Sequence, residues 1–322
     1  MEESILKFAA QFAYQPKIEN EHNLIKKEKF ILLGMGGSHL AADLLKAYDS
    51  SFPILIHWDY GLPPLSDQEK DDYLIIISSH SGNTAEVIDG LKEAMMRRQS
   101  IAIISAGGEL INLAQKHSLP YIHIPDPTIS PRMAIGLQFK ALLALTNQKD
   151  TSEQTTKLQT LKPLDFKKQG EKLAQRLNHK IPLIYSSRPN SALAYNWKIK
   201  FNETGKIPAF YNIFPELNHN EIAAFDSFEA TKKLTDLFYF LFIYDDEDSL
   251  EIRQRMDILL ELYRDKKYPV EIIKLNGNHR LERLFNCLLL ADWTAYTIAR
   301  QYNLEPEAVP LIENFKEKLT NL

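Results

Sequence analysis

The chain has little of what several classes of protein require. Its 322 residues include a single cysteine, Cys287, so it can form neither an intrachain disulfide nor a cluster of thiolate metal ligands. It also has no surplus of positive charge, because its 38 Lys and Arg residues are outnumbered by 42 Asp and Glu residues. A surface that coats nucleic acid needs such a surplus to neutralise phosphates, and we therefore expect no nucleic-acid partner.

Long apolar runs are equally scarce. The longest candidate, residues 237–244, is strand-sized and is followed by three consecutive acidic residues, whereas a membrane helix needs ~20 apolar residues. The first residues lack the basic region, apolar stretch and small-residue cleavage site of a secretory signal. Together with the single cysteine, these absences predict a cytoplasmic protein with no membrane partner.

The composition is that of an ordinary globular protein, with 44% hydrophobic and 25% charged residues. A chain of this length exceeds what one compact core usually supports, which predicts two domains of roughly 150 residues each. Residues 147–160 are polar and show no apolar periodicity, as is typical of a linker. We therefore predict domains at residues 1–150 and 151–322.

Short apolar runs rich in β-branched residues alternate with amphipathic stretches of helical period, a pattern that predicts parallel sheets covered by helices. In the first half we predict strands at 30–33, 54–58, 73–78, 101–105 and 121–124, and helices at 38–47, 84–97 and 109–117. In the second half we predict strands at 181–185, 236–244 and 270–275, and helices at 191–200, 249–264, 280–302 and 309–319. The shared order of strand, polar turn and helix indicates a structural duplication.

A glycine-rich turn follows the first predicted strand. Gly36, Gly37 and Ser38 come directly before a predicted helix, where backbone N–H groups at the positive end of the helix dipole favour an anion. Ser38 can act as the helix N-cap or as a hydroxyl donor to a ligand. A dinucleotide-binding fingerprint would place its third glycine at the position of His39, so a Rossmann cofactor is disfavoured.

A serine-rich turn follows the strand predicted at 73–78. Its hydroxyl residues Ser79, Ser81 and Thr84 surround one glycine at the start of a helix, which suits a phosphate monoester. No lysine follows Gly82, so the turn is not a nucleotide triphosphate loop. The two turns follow two strands of the same predicted sheet, and the carboxyl edge of a doubly wound sheet should bring them together.

These two turns resemble those of the sugar isomerase (SIS) domain, whose serine and threonine turn holds a sugar phosphate. The rest of the chain resembles the bifunctional phosphoglucose/phosphomannose isomerases, which have two SIS domains in about this length. The most specific segments are Asn-Glu-Thr-Gly-Lys-Ile-Pro-Ala at 202–209, Pro-Glu-Leu-Asn-His-Asn-Glu at 215–221 and Ile-Glu-Asn-Phe-Lys at 312–316. The resemblance implies an α/β fold of two doubly wound, flavodoxin-like (Rossmann-type) SIS domains.

The resemblance also implies an activity, the interconversion of glucose 6-phosphate and mannose 6-phosphate with fructose 6-phosphate through a cis-enediol. In this scheme Glu203 moves the proton between C1 and C2, and His219 opens the sugar ring. Arg132 matches the family's cation for the enediolate, and Lys316 matches a lysine implicated in ring opening. The scheme requires neither a metal nor a cofactor, and the histidines show no metal-ligand spacing.

In such families the histidine can come from a neighbouring subunit, so the resemblance implies a homodimer with shared active sites. Two other readings stay open at this point. A sugar-phosphate sensor would keep Ser79, Ser81 and Thr84, but it would have no reason to keep both Glu203 and His219. An enzyme acting on a different sugar phosphate, such as an amidotransferase subunit, would normally add a glutaminase domain with an N-terminal cysteine.

Overall fold

The computed structural model describes residues 1–66, 68–125, 128–226 and 228–320, and it contains two compact units. The first unit is Leu6–Lys162, and the second combines Met1–Ile5 with the chain from Pro163 onward. The division thus falls after Lys162, whereas the polar segment at 147–160 predicts a boundary after residue 150. Most of that segment forms a helix rather than a linker, and the buried Lys140 donates hydrogen bonds to the backbone O and Oγ of Ser152 at 3.3 and 3.1 Å.

The first unit is built around a six-stranded sheet. Its strands are β1 (Ile18–Glu19), β2 (Lys29–Leu33), β3 (Ile54–His57), β4 (Tyr73–Ser78), β5 (Ser100–Ser105) and β6 (Tyr121–His123). Their order is β1-β6-β5-β4-β2-β3, and every neighbouring pair is parallel except β1 with β6. The parallel part, β3-β2-β4-β5-β6, has the order of a flavodoxin-like sheet, whose switch point lies between β2 and β4.

Helices cover the strands of the first unit because their apolar residues recur with helical period. The helices up to residue 162 are α1 (Glu2–Leu6), α2 (Leu40–Tyr48), α3 (Ala85–Met96), α4 (Gly108–Lys116), α5 (Ile135–Leu145) and α6 (Lys149–Thr156). Val87 and Leu91 of α3 and Leu110 of α4 pack on the buried isoleucines of the central strands. Helix α5 differs from α3 and α4, since every one of its residues except Ala144 is buried.

The second unit repeats this topology with a four-stranded sheet. Its strands are β7 (Ile181–Ser187), β8 (Phe210–Phe214), β9 (Phe238–Tyr244) and β10 (Val270–Lys274), all parallel, in the order β10-β9-β7-β8. Its helices are α7 (Lys167–Arg176), α8 (Ser191–Glu203), α9 (Lys232–Thr235), α10 (Leu250–Asp265), α11 (Arg280–Gln301) and α12 (Pro310–Thr320). The order β8-β7-β9-β10 matches β3-β2-β4-β5, so the predicted α/β fold with two doubly wound sheets is confirmed.

Aromatic side chains fill the core between the second sheet and α10. Tyr185, Phe240 and Tyr263 are buried and lie edge-to-face or tilted against one another or their neighbours, an arrangement that adds to the energy of burial. On α8, the buried Lys200 forms an ion pair with the equally buried Asp292 of α11. None of the helices in the described ranges is long and apolar enough to span a bilayer.

Several predicted elements differ from the observed ones at their ends, and others are new. The predicted strand at 236–244 begins at Phe238, and the predicted helix at 38–47 begins at Leu40. Two strands that the sequence pattern did not predict lie at sheet edges, β1 beside β6 and β8 beside β7. Helices α1, α5, α6, α7 and α9 are also additional to the predicted set.

Candidate functional site

The two predicted turns meet at the switch point of the first sheet. The Ser78 hydroxyl at the end of β4 donates to the backbone O of Ser38 at 2.8 Å. In return, the Ser38 hydroxyl accepts from the backbone N–H of His80 at 3.0 Å. Ser38 is therefore not the N-cap of α2, as the sequence allowed, because it lies in a 3₁₀ turn that joins the glycine turn to the serine turn.

Hydroxyl groups define the serine turn. The Ser79 hydroxyl is buried and lies 2.8 Å from the hydroxyl of Thr84, and it accepts from the backbone N–H of Gly82 at 3.2 Å. Ser81 is exposed, and Thr84 precedes α3 without a side-chain capping hydrogen bond. The first backbone N–H groups of a helix have no acceptor within it, so this end of α3 provides donors and a positive dipole end for an anion.

A third turn, which the sequence analysis did not identify, supports the serine turn from the end of β5. Gly82 has a φ of +71°, and a Cβ on it would lie 1.8 Å from the backbone O of Gly107. Gly108 has a φ of +68°, and a Cβ there would lie 2.3 Å from the backbone O of Ser81. The signal in the sequence is the pair Gly107-Gly108 directly after a strand, because such pairs permit close backbone approach.

The glycine turn combines an open side with a crowded side. Gly36 has a φ of +52° and nothing within 4 Å of where a Cβ would lie, so a ligand can approach its backbone. A Cβ on Gly37 would lie 2.8 Å from the Cβ of Pro131 and 3.0 Å from the backbone N of Arg132. The segment that carries the buried Arg132 therefore packs directly on the glycine turn.

We call the two turns, residues 36–38 and 79–84, the anion cradle. Its donors are hydroxyls and backbone amides at a helix N-terminus, and a guanidinium-bearing residue lies on the segment packed against it. Such a site suits a compact dianion such as a phosphate monoester. Within the described residues, no group of three or more His, Cys, Asp and Glu side chains could hold a metal ion.

The second sheet has different chemistry at the corresponding edge. Between the ends of β7 and β9, the amide of Asn190 donates to Asp245 and Asp248 at 3.3 Å each, and Arg280 forms an ion pair with Asp245. Burial raises the pKa of Asp248, since it removes water from the ionised carboxylate. Among the described residues, carboxylates and an arginine thus meet at this edge, in place of the hydroxyl-rich turn of the first sheet.

The predicted catalytic residues are divided between the two units. Glu203 is the last residue of α8 and is half-buried, and its backbone O accepts from Lys206. His219 ends the 3₁₀ helix Glu216–His219 and is exposed, as is Lys316 in α12. These three belong to the second unit, whereas Arg132 and the anion cradle belong to the first. Their catalytic roles stay predictions.

Comparison with known proteins gives consistent relatives. The family described as the bacterial phospho-glucose isomerase C-terminal SIS domain matches residues 166–319. The bifunctional phosphoglucose/phosphomannose isomerase of Caldicellulosiruptor bescii is 32% identical over 313 residues, which cover 92% of this chain and 90% of that protein. The protein of the same name from Aquifex aeolicus is 30% identical over 294 residues, and the alignment covers 90% of this chain and 89% of that protein.

A solved structure supports the fold alone. The glucosamine-6-phosphate deaminase from Thermotoga maritima aligns with a TM-score of 0.67 at 14% identity, covering 96% of this chain and 95% of that one. The sequence relatives carry the argument further, because they match across both units at 30% identity or more. On this evidence the chain is a member of the bifunctional phosphoglucose/phosphomannose isomerase family.

Proposed function

We propose that this protein interconverts glucose 6-phosphate and mannose 6-phosphate with fructose 6-phosphate. The observation that carries the proposal is the anion cradle at the switch point of the first sheet, in a chain whose relatives bear the names of such isomerases. The proposal needs no metal, no cofactor and no nucleic-acid or membrane partner. It places the reaction in the cytoplasm, in keeping with a chain whose single cysteine, Cys287, can form no intrachain disulfide.

In this proposal the cradle holds the phosphate of the substrate. The hydroxyls of Ser81 and Thr84 donate hydrogen bonds to the phosphate. The buried Ser79 stabilises the turn through its hydrogen bond to Thr84. The backbone at Gly36 can approach the same group, because nothing lies within 4 Å of its Cβ position, and Gly37 lets the segment of Pro131 and Arg132 pack against the turn. Ser38 contributes by joining the two turns through His80. Binding at the phosphate leaves the sugar carbons free to react.

The chemistry itself is assigned to four side chains. Glu203 takes the proton from C2 of the open-chain aldose while O1 gains a proton, which gives a cis-enediol. It then returns the proton to C1 while O2 loses its proton, which gives the ketose. His219 transfers the protons that open the ring, with Lys316 as a second group in that step. Arg132 offsets the negative charge of the enediolate. A proton moves within one substrate, so no oxidant or reductant is consumed.

The test is a coupled assay in which glucose 6-phosphate and mannose 6-phosphate are supplied separately and fructose 6-phosphate is detected. We expect product from both, and glucosamine 6-phosphate serves as a control that should give none. Tight binding of hexose phosphates without any turnover would contradict the proposal and favour a sensor. Turnover of glucosamine 6-phosphate alone would assign the chain to a different substrate.

We further propose that the active protein is a homodimer in which His219 acts in the active site of the partner subunit. Support comes from an apolar cavity of about 730 Å³ beside the edge strand β8, in the unit that carries His219. Its lining includes Phe210 and Leu234, which are 52% and 66% exposed. Soluble chains rarely leave contiguous apolar patches uncovered, and a second copy would cover this one.

Mixing two inactive variants tests the shared site. If each site takes Glu203 from one subunit and His219 from the other, a mixture of Glu203→Gln and His219→Ala proteins regains activity. Random pairing gives half heterodimers, each with one intact site, so we expect about a quarter of wild-type activity after exchange of subunits. A mixture that stays at the level of the separate variants would show that each site lies within one chain, and sedimentation would report whether a dimer exists.

A further inference from the structure

His219 lies in a segment with little regular structure of its own. Between β8 and β9 the chain forms the 3₁₀ helices Glu216–His219, Glu221–Phe225 and Glu229–Thr231 and the single helical turn α9. Short 3₁₀ helices have poor hydrogen-bond geometry and do not hold a side chain firmly. An exposed residue at the end of such a turn therefore depends on contacts elsewhere for a fixed position.

A single carboxylate supplies such contacts two residues after His219. Glu221 accepts from the hydroxyl of Tyr185 through Oε1 at 2.5 Å and from the side-chain amide of Asn212 through Oε2 at 2.7 Å. Tyr185 and Asn212 are register partners on the adjacent strands β7 and β8. Both carboxylate oxygens of Glu221 thus bind this segment to neighbouring residues of β7 and β8.

The donors are well suited to a fixed anchor. Tyr185 is fully buried, and burial raises the pKa of its hydroxyl well above the ordinary range, so it remains a donor at any working pH. Hydrogen bonds to an ionised acceptor are stronger than bonds between neutral groups. Glu221 has no cationic partner among the described residues, so its charge is held by these neutral donors.

Glu221 is half-buried and lines the apolar cavity beside β8. The segment already has two apolar anchors, Leu217 and Phe225, which are 0% and 4% exposed. Those contacts hold the segment on the core but have little directionality, whereas two hydrogen bonds to one carboxylate fix its orientation. The two hydrogen bonds of Glu221 therefore fix the orientation of the chain close to His219.

We infer that Glu221 is a positioning residue for His219, with Tyr185 and Asn212 as its supports. The inference rests on the proposed function, in which His219 transfers protons during ring opening. Glu221 does not contact substrate in this account. Its contribution is to hold the imidazole in one orientation, since a displacement of about 1 Å at a catalytic group can cost on the order of 100-fold in rate.

Kinetic measurements with glucose 6-phosphate test the inference. We expect Glu221→Ala to lower kcat by about 10- to 100-fold while KM changes by less than about 3-fold, because the phosphate turns are untouched. Tyr185→Phe keeps the aromatic packing and should lower kcat in the same direction. Glu216→Gln is the control, since Glu216 bonds only to the exposed Asn220 of the same segment, and we expect wild-type kinetics. Wild-type kcat in Glu221→Ala would overturn the inference.

A double-variant cycle separates positioning from a general loss of structure. If Glu221 acts through His219, then Glu221→Ala should have less than about a 2-fold effect on kcat when His219 is already Ala. Independent, multiplying losses would overturn the inference, as would full activity of His219→Ala. Thermal unfolding of each variant shows whether the fold is retained, and Tyr185→Phe remains informative if Glu221→Ala does not fold.

A measurement that needs no activity distinguishes failure of this inference from failure of the proposed function. The protein has 9 histidines, and ring ¹H–¹³C spectra of histidine-labelled protein identify the His219 signal by its loss in His219→Ala. We expect this signal to narrow and move toward the random-coil position in Glu221→Ala and to stay unchanged in Glu216→Gln. A signal that is already narrow and random-coil in the wild type would overturn the inference, even if the isomerase activity is confirmed.

Discussion

At the scale of single residues, the anion cradle depends on a few close approaches. The hydroxyl of Ser79 lies within 3.5 Å of three polar atoms, those of Thr84, Gly82 and Ser81, so it organises the turn as much as it faces a ligand. The glycines at 82 and 108 permit backbone contacts that any side chain would block. The sequence predicts which residues form these turns, but only the fold shows that Ser38 bonds to His80 and not to its own helix.

Glu203 is the residue whose replacement should lower the turnover number most. Replacing Glu203 with Gln removes the proton acceptor while keeping size and polarity, so kcat should fall by about 10²- to 10⁴-fold with KM nearly unchanged. Steady-state kinetics with glucose 6-phosphate measure both values. Glu251→Gln makes the same chemical change at an exposed position of α10 and should leave kcat unchanged. Near wild-type turnover in Glu203→Gln would mean that another group is the base.

At the scale of helices and strands, periodicity found the elements that have one apolar and one polar face. Helices α2 to α4 fall in this class. Strands β2, β4 and β5 are instead buried over almost their whole length and are predicted from short continuous apolar runs. Helix α5 was not predicted, because it is buried on all sides and shows no periodic pattern. Strand β8 was not predicted either; it lies at a sheet edge, where Phe210 and Tyr211 are exposed. Helix α6 is almost entirely polar, so its sequence resembles that of a linker.

The buried ion pair between α8 and α11 should matter for the helix that ends at Glu203. Lys200→Met leaves Asp292 charged and buried without its partner, which should lower the free energy of unfolding by about 3–5 kcal/mol. Adding Asp292→Leu removes the stranded charge and should recover much of that loss. Urea unfolding followed by tryptophan fluorescence is suitable, because Trp197 and Trp293 are buried in the same unit. Equal stability of the single and double variants would contradict this.

The carboxylate cluster at the end of β9 predicts a pH dependence of stability. Burial raises the folded-state pKa of Asp248 above its ordinary value of 3.8, so the folded protein binds the extra proton and this contribution to stability is lost as pH rises through the folded-state pKa. Asp248→Asn removes the titrating group. Its free energy of unfolding relative to wild type should therefore increase as the pH rises above about 4 and through the folded-state pKa of Asp248.

Urea unfolding at a series of pH values checks this difference. Asp246→Asn is the matched control, because Asp246 is 59% exposed beside the same cluster and pairs with Lys274 at the surface. For that control we expect a nearly constant difference from wild type. A difference for Asp248→Asn that stays flat or falls with rising pH would show that the ionised carboxylate is not penalised at this site.

At the scale of the whole molecule, two sheets of like topology carry different chemistry at their switch points. The first has hydroxyls and amides between β2 and β4, and the second has Asp245 and Asp248 between β7 and β9. The duplication could be predicted from the order of elements in the sequence. The difference in side chains at the second edge could not, because it depends on which residues the fold brings together there.

This difference predicts the stoichiometry of binding. Isothermal titration with glucitol 6-phosphate, which has no carbonyl to isomerise, should give one site per chain, because the anion cradle lies in the first unit and carboxylates meet at the corresponding edge of the second. Ser81→Asp should weaken binding, since it places a negative charge beside the phosphate. Two equivalent sites per chain would contradict this assignment, and so would unchanged binding by Ser81→Asp.

The central claim is that a proton is moved between C1 and C2 of a hexose held by its phosphate. The direct measurement is the reaction of glucose 6-phosphate in heavy water, followed by NMR. A cis-enediol whose proton is held on a carboxylate exchanges with solvent, so deuterium should appear at C1 of fructose 6-phosphate, and Glu203→Gln should slow its appearance together with product formation. Fructose 6-phosphate formed without any deuterium at C1 would contradict the claim, as would the absence of fructose 6-phosphate.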